Sequence, residues 1–330
     1  MTRVAVIDIG TVTARLAVSE VECGRVVSLK KLSTICNLGQ DVDQTGLLRQ
    51  DAMDRVLAAV DGYLAVARDS DVSAICCTLT SAARDASNSK EFLGEFSARG
   101  LQAQVIAGEV EGSLTLLGVA QDFVGKNILV ADNGGGSTEL AYGAFDGREL
   151  KIGFVRSLDV GCRRITERYL SNDDPPREGD LVRAHLFCAD AFERGITLAR
   201  KTLPGDFSPE RLVVCGGTST SLVAINLGLV PYDSSKVHLS ELAEDDVTGI
   251  EEMLASITEA QRAQVPGIQP KRAPVILGGV IAIRELMRKC LFDRMTVSES
   301  DLLVGLSIAC AAAVDGLPSP IGWAPSLSLV

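Results

Sequence analysis

The chain has 330 residues, 46% of them apolar and 23% charged, and a formal net charge of −11. This is an ordinary globular composition with length for two domains. The acidic balance argues against general nucleic-acid binding, and it demands a metal or locally dense arginine if the ligand is a phosphate.

No run of eighteen apolar residues occurs, so no membrane span is expected, and the N-terminus enters a strand directly, without a signal-peptide pattern. The nine cysteines are scattered, odd in number and without a C-x-x-C pair. That pattern predicts reduced, buried thiols in a cytoplasmic protein rather than zinc or disulfides.

Val4 to Ile9, Ala14 to Val21 and Arg25 to Ile35 read as successive strands with short polar turns. Apolar residues at helical spacing then run from Gln44 to Arg68. A buried strand over Val72 to Leu79, a helix over Ser89 to Arg99, a strand over Gln104 to Ala107 and a helix over Glu109 to Asp122 follow. This order predicts a mixed sheet with helices packed on it.

The second half restarts with the apolar run Ile128 to Ala131, then strands over Thr138 to Ala144 and Leu150 to Leu158. Arg163 to Leu170 reads as a basic helix with a solvated face, and Asp173-Asp174-Pro175-Pro176 as a break. Helices are expected over Glu178 to Leu203, after Gly216-Gly217-Thr218, over Glu241 to Ala263, over Pro274 to Cys290 and over Asp301 to Val314. Leu212 to Cys215 and Met295 to Ser298 read as short strands, and the tail from Gly316, rich in proline and serine, as irregular.

The most informative stretch is DNGGGSTE, Asp132 to Glu139. A carboxylate at a strand end is followed by glycines, which let the main chain approach a ligand, and then by hydroxyls and a second carboxylate. Bare N–H groups in such a turn make an anion nest, and carboxylates beside phosphate are where Mg²⁺ enters.

VIDIGTVTARLA (Val6 to Ala17) aligns on VADNGGGSTELA (Val130 to Ala141) without gaps, which places Asp8 on Asp132, Gly10 on Gly134 and Thr13 on Ser137. One such unit per half predicts two related domains facing a ligand cleft, 1–122 and 123–330, with the last helix, 301–314, a candidate to pack back on the first.

Together with TSAARDASN (from Thr80), IAGEVEG (from Ile106), LDVGCRRITERY (from Leu158), VCGGTST (from Val214), VPGIQPKRAPVILGG (from Val265) and VSESDLLVGL (from Val297), these segments resemble the exopolyphosphatase and guanosine pentaphosphate phosphohydrolase family in its short two-domain form. The resemblance implies two RNase H-like α/β domains of the actin, Hsp70 and sugar-kinase superfamily with an interdomain cleft. It also implies a homodimer. The chain departs from the pattern at Thr11-Val12-Thr13, where serine–asparagine–serine is usual, at Asn133 for Ile and at Gly112 for Ala. These changes bear on substrate choice more than on chemistry.

By the resemblance, Glu111 is the general base that activates water on a terminal phosphate of inorganic polyphosphate or guanosine pentaphosphate. Asp132 and Glu139 are the Mg²⁺ or water-positioning acids, and Arg84 offers a phosphate contact at the centre of catalysis. Gly134, Gly135, Gly136, Ser137 and Thr138 offer phosphate donors, and Asp8, Gly10, Thr11 and Thr13 hold a neighbouring phosphate or its metal from the other domain. Gly216, Gly217, Thr218 and Arg272 line the cleft. Arg15, beyond the turn, reads as a strand-surface residue, and Cys215 as a buried strand cysteine.

Two other readings stand beside this one: a regulator that binds an alarmone with little turnover, motivated by the altered first loop, and a sugar or acetate kinase, against which the Glu111 segment speaks.

Overall fold

The computed structural model describes residues 1–329. They form two compact units, the first made of 1–125, 144–151 and the segment from Asp301 onward, the second of 126–143 and 152–300. The second unit therefore ends at Ser300 rather than at the C-terminus, and the tip of one of its hairpins groups with the first unit.

The first unit opens with β1 (Thr2–Ile9), β2 (Thr13–Glu22) and β3 (Arg25–Ile35), an antiparallel meander. Then come α1 (Val42–Thr45), α2 (Gln50–Arg68), β4 (Ala74–Leu79), α3 (Ser81–Asp85), α4 (Ser89–Ala98), β5 (Ala103–Val105) and α5 (Gly108–Val119). β4 runs parallel to β1, and β5 parallel to β4. The single helix expected over 44–68 is broken, because Gly46 ends α1 at φ 67, a left-handed conformation that a helix interior does not accept.

The second unit holds β6 (Asn127–Asn133), β7 (Thr138–Phe145), β8 (Leu150–Leu158), α6 (Cys162–Ile165) with a π-helical turn over Thr166–Leu170, α7 (Glu178–Thr202), β9 (Arg211–Cys215), α8 (Gly217–Asn226) and α9 (Ser234–Val237). It continues with β10 (Glu241–Ala243), α10 (Glu244–Ala255), α11 (Glu259–Arg262), α12 (Ala273–Cys290) and β11 (Arg294–Val297). Its sheet order is β10-β11-β9-β6-β7-β8, with β9 parallel to both β6 and β11.

The helix expected from Glu241 thus begins as a strand, since Leu242 pairs with Met295 and turns its side chain into the core. α13 (Leu302–Val314) and β12 (Leu327–Ser328) return to the first unit, where the tail expected to be irregular adds a short antiparallel strand to β4.

Each half is a hairpin meander extended by parallel strands, and the alternation of its central strand sorts the core. Ala5, Ile7 and Ile9 of β1 pack in the cluster with α2 and α4. Val4 and Val6 pack with Leu114 of α5 and with Leu302 and Leu306 of α13. Successive strand residues point to opposite faces. Asp8, next after Val4 and Val6 on that face, therefore emerges on the side covered by α5 and α13.

Those two helices cross without clearance: a Cβ at Gly305 would lie 1.8 Å from the Leu114 carbonyl oxygen, and one at Gly118 2.4 Å from that of Asp301.

Candidate active site

In the first unit the candidate residues sit at the carboxyl ends of β1, β4 and β5, where ligands of parallel sheets bind. The turn after β1 closes with Gly10 N–H donating to Thr13 O at 2.9 Å. Within it, Thr11 O accepts from Gly39 N–H at 2.8 Å, and Val12 O accepts from the N–H groups of Cys36 and Asn37, each at 2.9 Å.

The only cis peptides among the described residues precede Pro175 and Pro231, so these peptides are trans, with C=O and N–H opposed. The N–H groups of Val12 and Thr13 thus turn away from the segment that holds the carbonyls. Gly39 makes room for this: a Cβ there would lie 2.2 Å from Thr11 Cγ2. The unusual Thr-Val-Thr sequence loses side-chain donors but keeps those of the main chain.

Asp8 is 2% exposed. Its Oδ2 accepts from Arg15 Nη2 at 2.7 Å and Nε at 3.1 Å, across the ladder pair Asp8↔Arg15. Burial pushes the Asp8 carboxyl above its ordinary value, and the Arg15 charge opposes this only in part. Arg15, read from sequence as a surface residue, is instead a structural cation, also donating to Asp301 Oδ2 at 2.8 Å.

Arg84, on α3, donates through Nη1 to Glu111 Oε2 at 2.6 Å and to Ile106 O at 3.1 Å. Glu111 stands in the first turn of α5, 8% exposed. A carboxylate there complements the helix dipole, and the guanidinium beside it is a planar fork matched to phosphate oxygens.

In the second unit, Gly134 N–H donates to Ser137 O at 3.0 Å, the counterpart of Gly10 and Thr13. An antiparallel ladder continued from that bond counts Glu139 opposite Asp132, where the first hairpin has Arg15 opposite Asp8. The carbonyls of the glycine run face α6. Gly134 O accepts from Cys162 N–H (3.0 Å), Gly135 O from the N–H groups of Arg163 (2.9 Å) and Arg164 (3.2 Å), and Gly136 O from Arg164 Nε (2.7 Å).

By the same trans-peptide geometry, the N–H groups of Gly135, Gly136 and Ser137 all turn away from α6, side by side. A row of N–H groups so turned is the arrangement from which anion nests are built. Gly161 lets α6 approach, since a Cβ there would lie 2.3 Å from Gly135 O.

β6 and β9 run parallel with Asp132 beside Cys215, so the next residue, Gly216, enters the site at φ 102. A Cβ on Gly216 would lie 3.3 Å from Asp132 Oδ1. On Gly217, at the N-terminus of α8, a Cβ would lie 2.0 Å from Arg272 Nη1. The structure therefore joins Asp132, the nest, Gly216, Gly217 and Arg272, which are far apart in sequence.

Glu139 is buried with Oε1 accepting from Ser157 Oγ at 2.7 Å, a partner the sequence did not reveal. Among the described residues no cluster of three or more His, Cys, Asp or Glu could hold a metal. Asp132 and Glu139 would offer two carboxylates, a kind of donor that Mg²⁺ takes together with waters and phosphate oxygens.

Several of the residues named from sequence also make structural contacts. Thr138 is fully buried; its hydroxyl donates to Val160 O at 2.5 Å and accepts from Asn133 Nδ2 at 2.9 Å, so its proton is committed within the loop. Thr218 is buried with Oγ1 against α12, where a Cβ on Gly279 would lie 2.3 Å away. Arg163 and Arg164, expected on a solvated face, are buried, Arg163 paired with Glu167 at 2.9 Å. Cys215 is buried, with Sγ 3.7 Å from Ala131 O.

The model of the Ppx/GppA phosphatase family matches residues 17–307. Exopolyphosphatase 2 of Mycobacterium tuberculosis is 32% identical over 327 residues, covering 94% of this chain and 99% of that protein. The crystal structure of an exopolyphosphatase-like protein is similar at a TM-score of 0.85 and 29% identity, covering 95% of this chain and 98% of that one. The Ppx/GppA family member of Aquifex aeolicus is similar at a TM-score of 0.76 and 28% identity, covering 93% and 97%. With these neighbours, the two sheets are those of the two-domain actin-like fold. Family model, relative and fold thus converge on one assignment: the chain belongs to the Ppx/GppA phosphatase family.

Proposed function

We propose that the protein releases terminal orthophosphate from inorganic polyphosphate by attack of water. The observation that carries this reading is the row of N–H groups from Gly135 to Ser137 turned away from α6. Such a row recognises phosphate oxygens without reading any base or sugar. The exopolyphosphatase names of the relatives support it.

In the proposed reaction the nest, Gly216, Gly217 and Arg272 hold the last phosphates. Asp132 and Glu139 would hold Mg²⁺, which when bound offsets charge on the transferred phosphoryl group. Arg84 passes from Glu111 to a phosphate oxygen as the substrate binds. Glu111 then takes a proton from water, the water oxygen bonds to the terminal phosphorus, and the bridging P–O bond breaks. The leaving oxygen becomes the new chain end.

The test is phosphate release with Mg²⁺ from long polyphosphate, short polyphosphate and guanosine pentaphosphate, for the wild type and for Glu111→Gln. Removing a general base lowers the rate by about 10²–10⁴-fold. A Glu111→Gln protein with wild-type release would remove Glu111 from the mechanism. Release from guanosine pentaphosphate alone would refute polyphosphate as the substrate.

A further inference from the structure

The chain Asp8–Arg15–Asp301 has no part in the steps above. Arg15 spans it, with two nitrogens on Asp8 Oδ2 and Nη1 on Asp301 Oδ2. Asp301 caps α13, its Oδ1 accepting from Leu303 N–H at 3.0 Å, while Lys31 Nζ from β3 lies 3.3 Å from its Oδ2. One guanidinium therefore ties the end of β1 to the first turn of α13. That helix crosses α5, the carrier of Glu111, at the glycine contact of Gly118 and Gly305.

Asp8 Oδ1 remains buried and without a hydrogen-bond partner. Burial of an unsatisfied acceptor costs about 1–3 kcal/mol, so it is retained for a ligand or a water. The corresponding place in the second hairpin holds Glu139, so the residue opposite the aspartate is a cation in one half and a carboxylate in the other.

We propose that Arg15 is a positioning residue for phosphate release: it fixes Asp8 by one carboxylate oxygen, offsets its charge beside the bound polyanion, and leaves the other oxygen as acceptor for a water hydrating the terminal phosphates. The charged groups acting on Asp8 are Arg15 from β2, Arg84 from α3 and Asp301 at the start of α13, with the Cys77 thiol of β4 behind it on the opposite face of the sheet. With Arg15 removed, the strongest influence opposing the push of burial is lost, and Asp8 protonates at higher pH.

This inference rests on the reading of the site as a phosphate-releasing one, and the experiment separates the two. The Asp8 carboxyl is titrated by carbon NMR in aspartate-labelled wild type, Arg15→Met and Arg15→Lys, assigned by its loss in Asp8→Asn, alongside the pH profile of kcat/KM on polyphosphate. In Arg15→Met the Asp8 titration and the acid limb both move up by half a pH unit or more, and Arg15→Lys moves them less. Within Asp8→Asn, adding Arg15→Met changes kcat/KM less than twofold, because groups acting as a unit are not additive.

A limb or titration that moves by less than half a unit, or losses that simply add, overturns the proposal. Should Arg15→Met not fold, Arg15→Lys decides by the same half-unit criterion. A wild type that releases no phosphate removes the reading of the site instead, and the carboxyl titration still decides whether Arg15 governs Asp8.

Discussion

Gly217→Ala separates the chemistry of Arg272 from the stability of the fold. The new Cβ would lie 2.0 Å from Arg272 Nη1 and 2.2 Å from Cζ, so the guanidinium must leave. What yields is the far end of a flexible side chain, not backbone, so the structural cost is small. Gly217 is the first residue of α8, and alanine there recovers up to about 1 kcal/mol of helix propensity. The melting temperature should therefore stay within about 4 °C of wild type.

A hydrogen bond to a charged group contributes about 1.5–3 kcal/mol. At about 1.4 kcal/mol per tenfold, its loss raises KM for polyphosphate about 10- to 150-fold. The assay is initial-rate phosphate release over a range of substrate, with a thermal melt of the same preparation. Arg272→Ala should match it, and the double variant should be no worse than either single one. A KM within threefold of wild type at an unchanged melting temperature would refute the placement of Arg272 on the substrate.

Gly305→Ala acts in the opposite sense. Its Cβ would lie 1.8 Å from the Leu114 carbonyl oxygen, a backbone atom, so α5 and α13 must separate; overpacking of this kind costs about 1–3 kcal/mol or more, and the denaturation midpoint should fall accordingly.

His185 lies between Glu251 and Glu285, at 2.8 and 2.9 Å, and the hydrogen bond to Glu251, then that to Glu285, raises its pKa from 6.5 to about 9. A folded pKa above the unfolded one gives stabilisation that is complete below pH 6.5 and is lost as pH rises through about 9, at most about 3 kcal/mol. Urea midpoints of wild type and His185→Gln should differ clearly at pH 6 and converge at pH 10; a constant difference would show that the cluster stabilises by packing.

Local order and spacing determined much of this protein. The apolar run of β1, the glycine-rich turns and the alignment of Asp8 on Asp132 placed both hairpins and announced a repeated architecture, because strand periodicity and turn chemistry are properties of neighbouring residues. The same locality explains the failures. Glu241 to Ala263 reads as helix until β11 offers its edge to Leu242, and the tail reads as irregular until β4 offers one to Leu327.

Only tertiary structure decided which polar groups have work left to do. Arg15 becomes an inner cation because α13 returns, more than 280 residues later, to bring Asp301 against it. Thr138 is spent on Val160, and the glycine N–H groups are aimed because α6 takes their carbonyls. A hydrogen bond is settled by the partner that arrives, and in this chain the deciding partners come from distant segments.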